Sequence, residues 1–98
     1  CPTMLNPRWI MVMAMKINEI LIGPVPSLPD HCIFEIKELL SSDFTIVQRF
    51  VYPNYITKML TLLVVSKTPV IIKPGEPLAS LCIIHLNDVI DDIKGNKK

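Results

Sequence analysis

Apolar and polar positions along this chain change phase every few residues, and proline marks most of the changes. Residues Arg8 to Ile17 are apolar on both faces of an extended backbone. That pattern predicts a strand covered on both sides, in a sandwich or at a subunit contact. Ile20 to Ile22 predicts a short strand ending at Gly23-Pro24. From Cys32 onward the pattern alternates, with Cys32, Phe34 and Ile36 on one face and Ile33, Glu35 and Lys37 on the other. A period of two is the signature of a half-buried strand. Glu38 to Ser42 predicts one helical turn or a loop, and Phe44 to Val47 another strand. Thr57 to Val65 is the clearest strand, and Val70 to Ile72 a short one. Pro77 to Leu86 predicts the last strand. Asn87 to Ile93 fits a short helix capped by Asn87 or Asp88, or a final strand, before a polar tail from Gly95 to Lys98.

Proline outnumbers glycine nine to three, and its spacing rules out long helices. Lys73-Pro74-Gly75-Glu76 has proline second and glycine third, as a type II turn requires. Many short strands between turn signals predict an all-β fold, a small barrel or distorted jelly roll with at most one short helix. With 98 residues, no repeat and no linker, one domain over residues 1–98 is expected.

Composition narrows the function classes. Half the residues are hydrophobic and 19% are charged, which excludes a disordered or low-complexity chain. The apolar excess is more than one small core absorbs, so partners or further copies are expected, with Met11, Met13, Met15, Leu60, Leu62 and Val64 as candidate contact residues. A net charge of +1 lacks the basic excess of a phosphate-binding surface, and no nucleic-acid partner is expected. Lys94, Lys97 and Lys98 read as a solvated basic end. The run Trp9 to Met15 is far shorter than the roughly 20 residues of a membrane helix, so no transmembrane segment is expected, and it does not read as a signal peptide. Cys1, Cys32 and Cys82 are widely spaced and odd in number, which predicts reduced thiols in an intracellular or virion-associated protein that is not secreted. The adjacent His31-Cys32 does not suit two ligands of one ion, so no metal is expected. His31 and His85 read as turn and strand-end residues. No nucleophile elbow accompanies them, and no glycine-rich phosphate loop is present.

The stretch Phe50 to Ile84, FVYPNYITKMLTLLVVSKTPVIIKPGEPLASLCII, resembles the second half of the trimeric dUTPase family. In that family a Val-Ile-Asp-x-x-Tyr turn leads into a long strand and a hairpin. A Gly-Asp-Arg-Ile-Ala-Gln-Leu turn then enters the next strand. Val51-Tyr52-Pro53-Asn54-Tyr55 stands at the first motif and Gly75-Glu76-Pro77-Leu78-Ala79-Ser80-Leu81 at the second, with no gap between them. Upstream, Leu28-Pro29-Asp30-His31 looks like the Leu-Pro-x-Gly turn that precedes the family's Arg-Ser phosphate motif. Ungapped counting sets that motif near Ile36 to Leu39. The resemblance covers about Gly23 to Leu86, and viral or mobile-element relatives are the best source of such diverged copies. It implies a distorted jelly-roll or β-clip barrel and a homotrimer.

The resemblance also shows which chemistry the residues lack. The family's water-activating Asp corresponds to Tyr52, and a phenol with a pKa near 10 is no general base at neutral pH. The sugar-packing Tyr keeps its type in Tyr55, although the residue reads first as a core aromatic at a strand start. The phosphate-gripping Arg-Ser corresponds to Ile36 and Lys37, followed by Glu38, and neither an apolar nor an acidic side chain replaces a bidentate guanidinium. Gly75 is kept, while the second motif's Arg and Gln have become Pro77 and Ser80. No Ala-Gly-x-Asp metal motif precedes Gly23, and no glycine-rich arm with an aromatic follows Ile84. Packing retained with chemistry lost is the mark of an inactive relative. The expectation is therefore a catalytically inactive dUTPase-like domain without a cofactor, serving as a structural or interaction module. The vestigial motif positions are Ile36, Lys37, Glu38, Tyr52, Tyr55, Gly75 and Ser80. The alternatives are an active dUTP-hydrolysing or nucleotide-binding enzyme with a rearranged site, and an unrelated small β-barrel of a capsid or assembly.

Overall fold

A computed structural model describes residues 2–38 and 43–95. Nine strands and one helix follow in order: β1 (Thr3–Leu5), β2 (Ile10–Val12), β3 (Asn18–Ile22), β4 (Cys32–Glu38), β5 (Thr45–Ile46), β6 (Phe50–Val51), β7 (Leu60–Val65), β8 (Val70–Ile72), β9 (Pro77–His85) and α1 (Leu86–Ile93). The protein is thus mostly β with one short C-terminal helix, in line with the alternation and proline spacing. The expected turn or loop at Glu38 to Ser42 and the tail beyond Gly95 lie largely outside the described residues.

The strands form three antiparallel sheets, of order β1-β9-β4-β6, β3-β7-β5 and β2-β8. Their inner faces share one hydrophobic core. Phe34, Ile36, Val51, Ala79 and Leu81 come from the first sheet, Ile20, Ile22, Ile46, Leu60, Leu62 and Val64 from the second, and Val12 and Ile72 from the third. In β7 the core takes every second residue, Leu60, Leu62 and Val64, as the pleat requires. In β9 both Leu78 and Ala79 are buried, which breaks the period. The cause is a bulge: the β1–β9 register shifts between Met4 and Leu5, so one β9 residue lacks an opposite number.

The longest apolar run corrects the sequence reading. Only Ile10–Val12 of Arg8 to Ile17 is strand, because the chain turns over after Met13. Asn18 closes that turn like a strand partner, its Oδ1 accepting from the Met13 N–H at 2.9 Å and its Nδ2 donating to the Met13 carbonyl at 3.0 Å. Met15 takes φ 58° at the tip. Cap assignment is also corrected. Neither Asn87 nor Asp88 caps α1; His85 does, its Nδ1 accepting from the Asn87 N–H at 3.0 Å. Cys82 is disulfide-bonded, so the reduced state expected for all three cysteines does not hold there, while Cys32 is a half-buried free thiol. No helix among the described residues is long and apolar enough to cross a membrane.

Candidate functional site

The motif positions fall at one place on the four-stranded sheet and in two turns, one after β6 and one between β8 and β9. Ile36, Lys37 and Glu38 end β4, where the register sets them opposite Leu81, Ser80 and Ala79 of β9. Lys37 and Ser80, remote in sequence, thereby become direct cross-strand partners. Strand alternation then separates their chemistry. Ile36 points inward and is only 6% exposed, a core residue among Phe34 and Leu81. Lys37 points outward, with its ammonium 3.7 Å from the Glu35 carboxylate.

That carboxylate belongs to a charged network that the sequence reading missed. Glu35 also meets Arg49 at 3.5 Å, and Arg49 reaches Asp92 of α1 at 2.6 Å while lying 5.0 Å over the Phe50 ring. The β4–β6 register explains the meeting, since Glu35 stands opposite Phe50, next to Arg49. A cation held between two carboxylates has little charge left for a phosphate. Lys37, the other cation on this face, is likewise shadowed by Glu35.

Tyr52 and Tyr55 flank the turn that follows β6. Tyr55 is 74% exposed, so it is not the core aromatic that its strand-start position allowed; the strand begins five residues later, at Leu60. Tyr52 is 62% exposed and Pro53 between them is buried. Asn54 builds the turn: its Oδ1 accepts from the N–H groups of Ile56 (2.9 Å) and Thr57 (3.0 Å), and its carbonyl accepts from the Lys58 N–H at 2.7 Å. The two phenols are thus displayed on a well-bonded turn beside exposed Ile56. Gly75 takes φ 88° in the β8–β9 turn, and the Glu76 N–H returns to the Lys73 carbonyl at 3.2 Å, as the type II reading predicted.

The anchor of that turn, Asn6, carried no signal in the sequence. It is buried, and its side-chain amide donates to the carbonyls of Arg8, Ile72 (3.1 Å) and Lys73 (2.9 Å). Its backbone also accepts from the Gly75 N–H at 2.7 Å and donates to the Glu76 carbonyl at 2.8 Å. Buried polar side chains with several carbonyl partners fix backbone geometry. Nothing in an Asn-Pro dipeptide distinguishes this role from an ordinary turn.

A separate groove of ≈ 460 Å³ lies between the Met15 turn and the start of the β7–β8 connection, lined by Met15, Lys16, Ile17, Thr45, Val65, Ser66 and Lys67. It contains none of the motif positions. The Ser66 hydroxyl is engaged with the carbonyls of Asp43 (3.0 Å) and Thr68 (2.6 Å), so it serves the local turn. Among the described residues, no group of three or more His, Cys, Asp and Glu stands close enough to hold a metal ion.

Apolar surface is the other conspicuous feature. On the β2–β8 pair, Met11 and Ile71 are directly opposite and both outward, 64% and 58% exposed, and Trp9 and Met13 continue the same side of β2. Three of the six candidate contact residues, Leu60, Leu62 and Val64, are instead core of this chain itself, whereas Met11, Met13 and Met15 are exposed. No family model, curated protein or solved structure matches the chain.

Proposed function

We propose that this protein is a catalytically inactive dUTPase-like domain, a distorted jelly-roll or β-clip barrel that works as a structural or protein-interaction module and self-associates as a homotrimer. The reading is carried by Ile36. At the position the resemblance assigns to the phosphate grip, this chain has a side chain committed to its core, 6% exposed. Rebuilding a grip there would require removing a core residue. Tyr52, exposed and aromatic, stands where a water-activating carboxylate is needed, and a homotrimer offers no remedy because every copy carries the same substitutions. The interaction half of the proposal is supported by the outward ladder of Trp9, Met11, Met13 and Ile71. Methionine-rich apolar surface is adaptable and is suited to contacts with other chains.

Thermal unfolding with dUTP and Mg²⁺ tests the proposal. A nucleotide bound at a hundred times its Kd would add about 2.7 kcal/mol, a shift easily seen. The expected result is no shift and no pyrophosphate release. Turnover that survives repurification would overturn the inactive reading, and a clean monomer by light scattering at micromolar concentration would overturn the trimer.

A further inference from the structure

The groove beside the Met15 turn has walls fixed by hydrogen bonds. The Met15 N–H donates to the Ser66 carbonyl at 2.8 Å, which ties the turn to the β7–β8 connection. Asn18 closes the turn on Met13, and its Nδ2 also donates to the Lys16 carbonyl at 3.1 Å. On the other wall the Ser66 hydroxyl engages the carbonyls of Asp43 and Thr68. The ≈ 460 Å³ between the walls is lined by the apolar side chains of Met15, Ile17 and Val65. That volume falls in the range of small-molecule sites, which are mostly apolar and largely pre-formed.

Two features set this groove apart from ordinary surface. Met15 takes φ 58° while its side chain is largely exposed. Glycine or asparagine would meet that left-handed conformation more easily, so the turn alone does not account for a long apolar side chain there. The second feature is charge. The ionisable residues of the lining are Lys16 and Lys67, with no acid among them. Both are exposed, and neither ammonium is in an ion pair among the described residues. Asp43 and Glu19, the acids closest in sequence to the walls, do not line the groove.

Apolar walls with two unpaired cations match one ligand chemistry, a hydrocarbon chain ending in an anion. A nucleotide or inorganic phosphate would lay polar groups on Met15, Ile17 and Val65 without hydrogen-bond partners. A neutral hydrocarbon would leave both ammonium groups unused. We infer that this groove binds a free long-chain carboxylate, the chain on Met15, Ile17 and Val65 and the head group between Lys16 and Lys67. The source is the free acid and not a bilayer, because a bilayer presents a plane of head groups whereas a groove admits a single chain. The site is separate from the Trp9, Met11, Met13 and Ile71 ladder and does not rest on the self-association reading.

The test titrates dodecanoate, kept below its micellar concentration, into the full chain by calorimetry and heteronuclear NMR. The expected result is one saturable site per chain, with amide shifts confined to Met15, Lys16, Ile17, Thr45 and the start of the β7–β8 connection. Acetate, the head group alone, should shift nothing. Dodecyl maltoside, a same-length chain on a neutral head, should bind about tenfold more weakly. Lys16→Gln with Lys67→Gln should weaken dodecanoate about tenfold and leave dodecyl maltoside unchanged. Met15→Ser should weaken both about tenfold. All three side chains are exposed, so the melting temperature of these variants should match the parent and loss of binding is not loss of fold. Absence of saturable dodecanoate binding would overturn the site. So would dodecyl maltoside binding as tightly, an affinity unmoved by the double lysine change, or shifts centred on Trp9, Met11 and Ile71. Binding to phosphatidylglycerol vesicles without binding of free dodecanoate would assign the groove to a membrane surface and overturn the inference as well.

Discussion

Replacing Asn6 by alanine removes one side-chain amide and should destabilise the protein far more than a single exposed polar change. The amide serves the carbonyls of Arg8, Ile72 and Lys73 and is buried. Each lost bond is worth about 1 kcal/mol net, and a buried carbonyl left unpaired adds its desolvation cost. The Ile72 bond is fully buried, while the other two are partly so and regain some hydration. The expected loss is therefore about 2–4 kcal/mol, a large part of the roughly 5–15 kcal/mol that a domain of this size has in total. In urea, with a slope of about 1–1.5 kcal/mol/M, the midpoint should fall by about 2 M, and the melting temperature should fall by on the order of 15 °C. Asn6→Asp keeps the shape but turns donors into a carboxylate that faces carbonyl oxygens, so it should cost more than alanine. Thr3→Ala, an exposed position on neighbouring β1, should stay within about 0.5 kcal/mol. An Asn6→Ala loss below about 0.5 kcal/mol, or an aspartate milder than alanine, would refute the assignment of Asn6 as the anchor of the Gly75 turn.

Three further outcomes follow from the same geometry. A Cβ added at Gly23 would meet Met59 Cγ at 2.8 Å and Met59 Cα at 3.1 Å, so Gly23→Ala should cost about 1–3 kcal/mol in a denaturant titration. Tyr52→Asp alone should restore no pyrophosphate release from dUTP, because Ile36 remains in the core, and measurable turnover in that variant would show the grip to be dispensable. The double change Met11→Ser with Ile71→Ser should reduce the light-scattering mass to that of a monomer. Each apolar side chain removed from a contact weakens it by about 1.5–3 kcal/mol, while monomer stability changes little because both side chains are exposed. An unchanged mass would move the contact elsewhere.

The local pattern of the chain determined where several strands run and which way their side chains face. Val70 to Ile72 sits between Pro69 and Pro74, and the strand is found at those residues. Alternation from Cys32 onward put Phe34 and Ile36 on one face, and that face is the buried one. The Pro74-Gly75 pair specified its turn because a single residue must take positive φ there. These features are legible because the pleat, proline and glycine act on one or a few adjacent residues. The short strands β1 and β6 are completed by pairing with β9 and β4, and no local pattern announced them.

Tertiary structure alone decided which apolar residues have neighbours. Leu62 and Met11 look alike in a hydropathy profile. Leu62 faces the shared interior of three sheets, whereas Met11 stands on the outer face of a two-stranded one. The ends of Arg8 to Ile17 were fixed by Asn18 reaching back to Met13, the first turn of α1 by His85 and His31, and the Gly75 turn by Asn6 from the other end of the chain. In each case a polar group finds its partner across a fold that brings remote segments together. Burial and hydrogen-bond partnership are properties of that meeting, and a residue acquires them only when the sheets close around it.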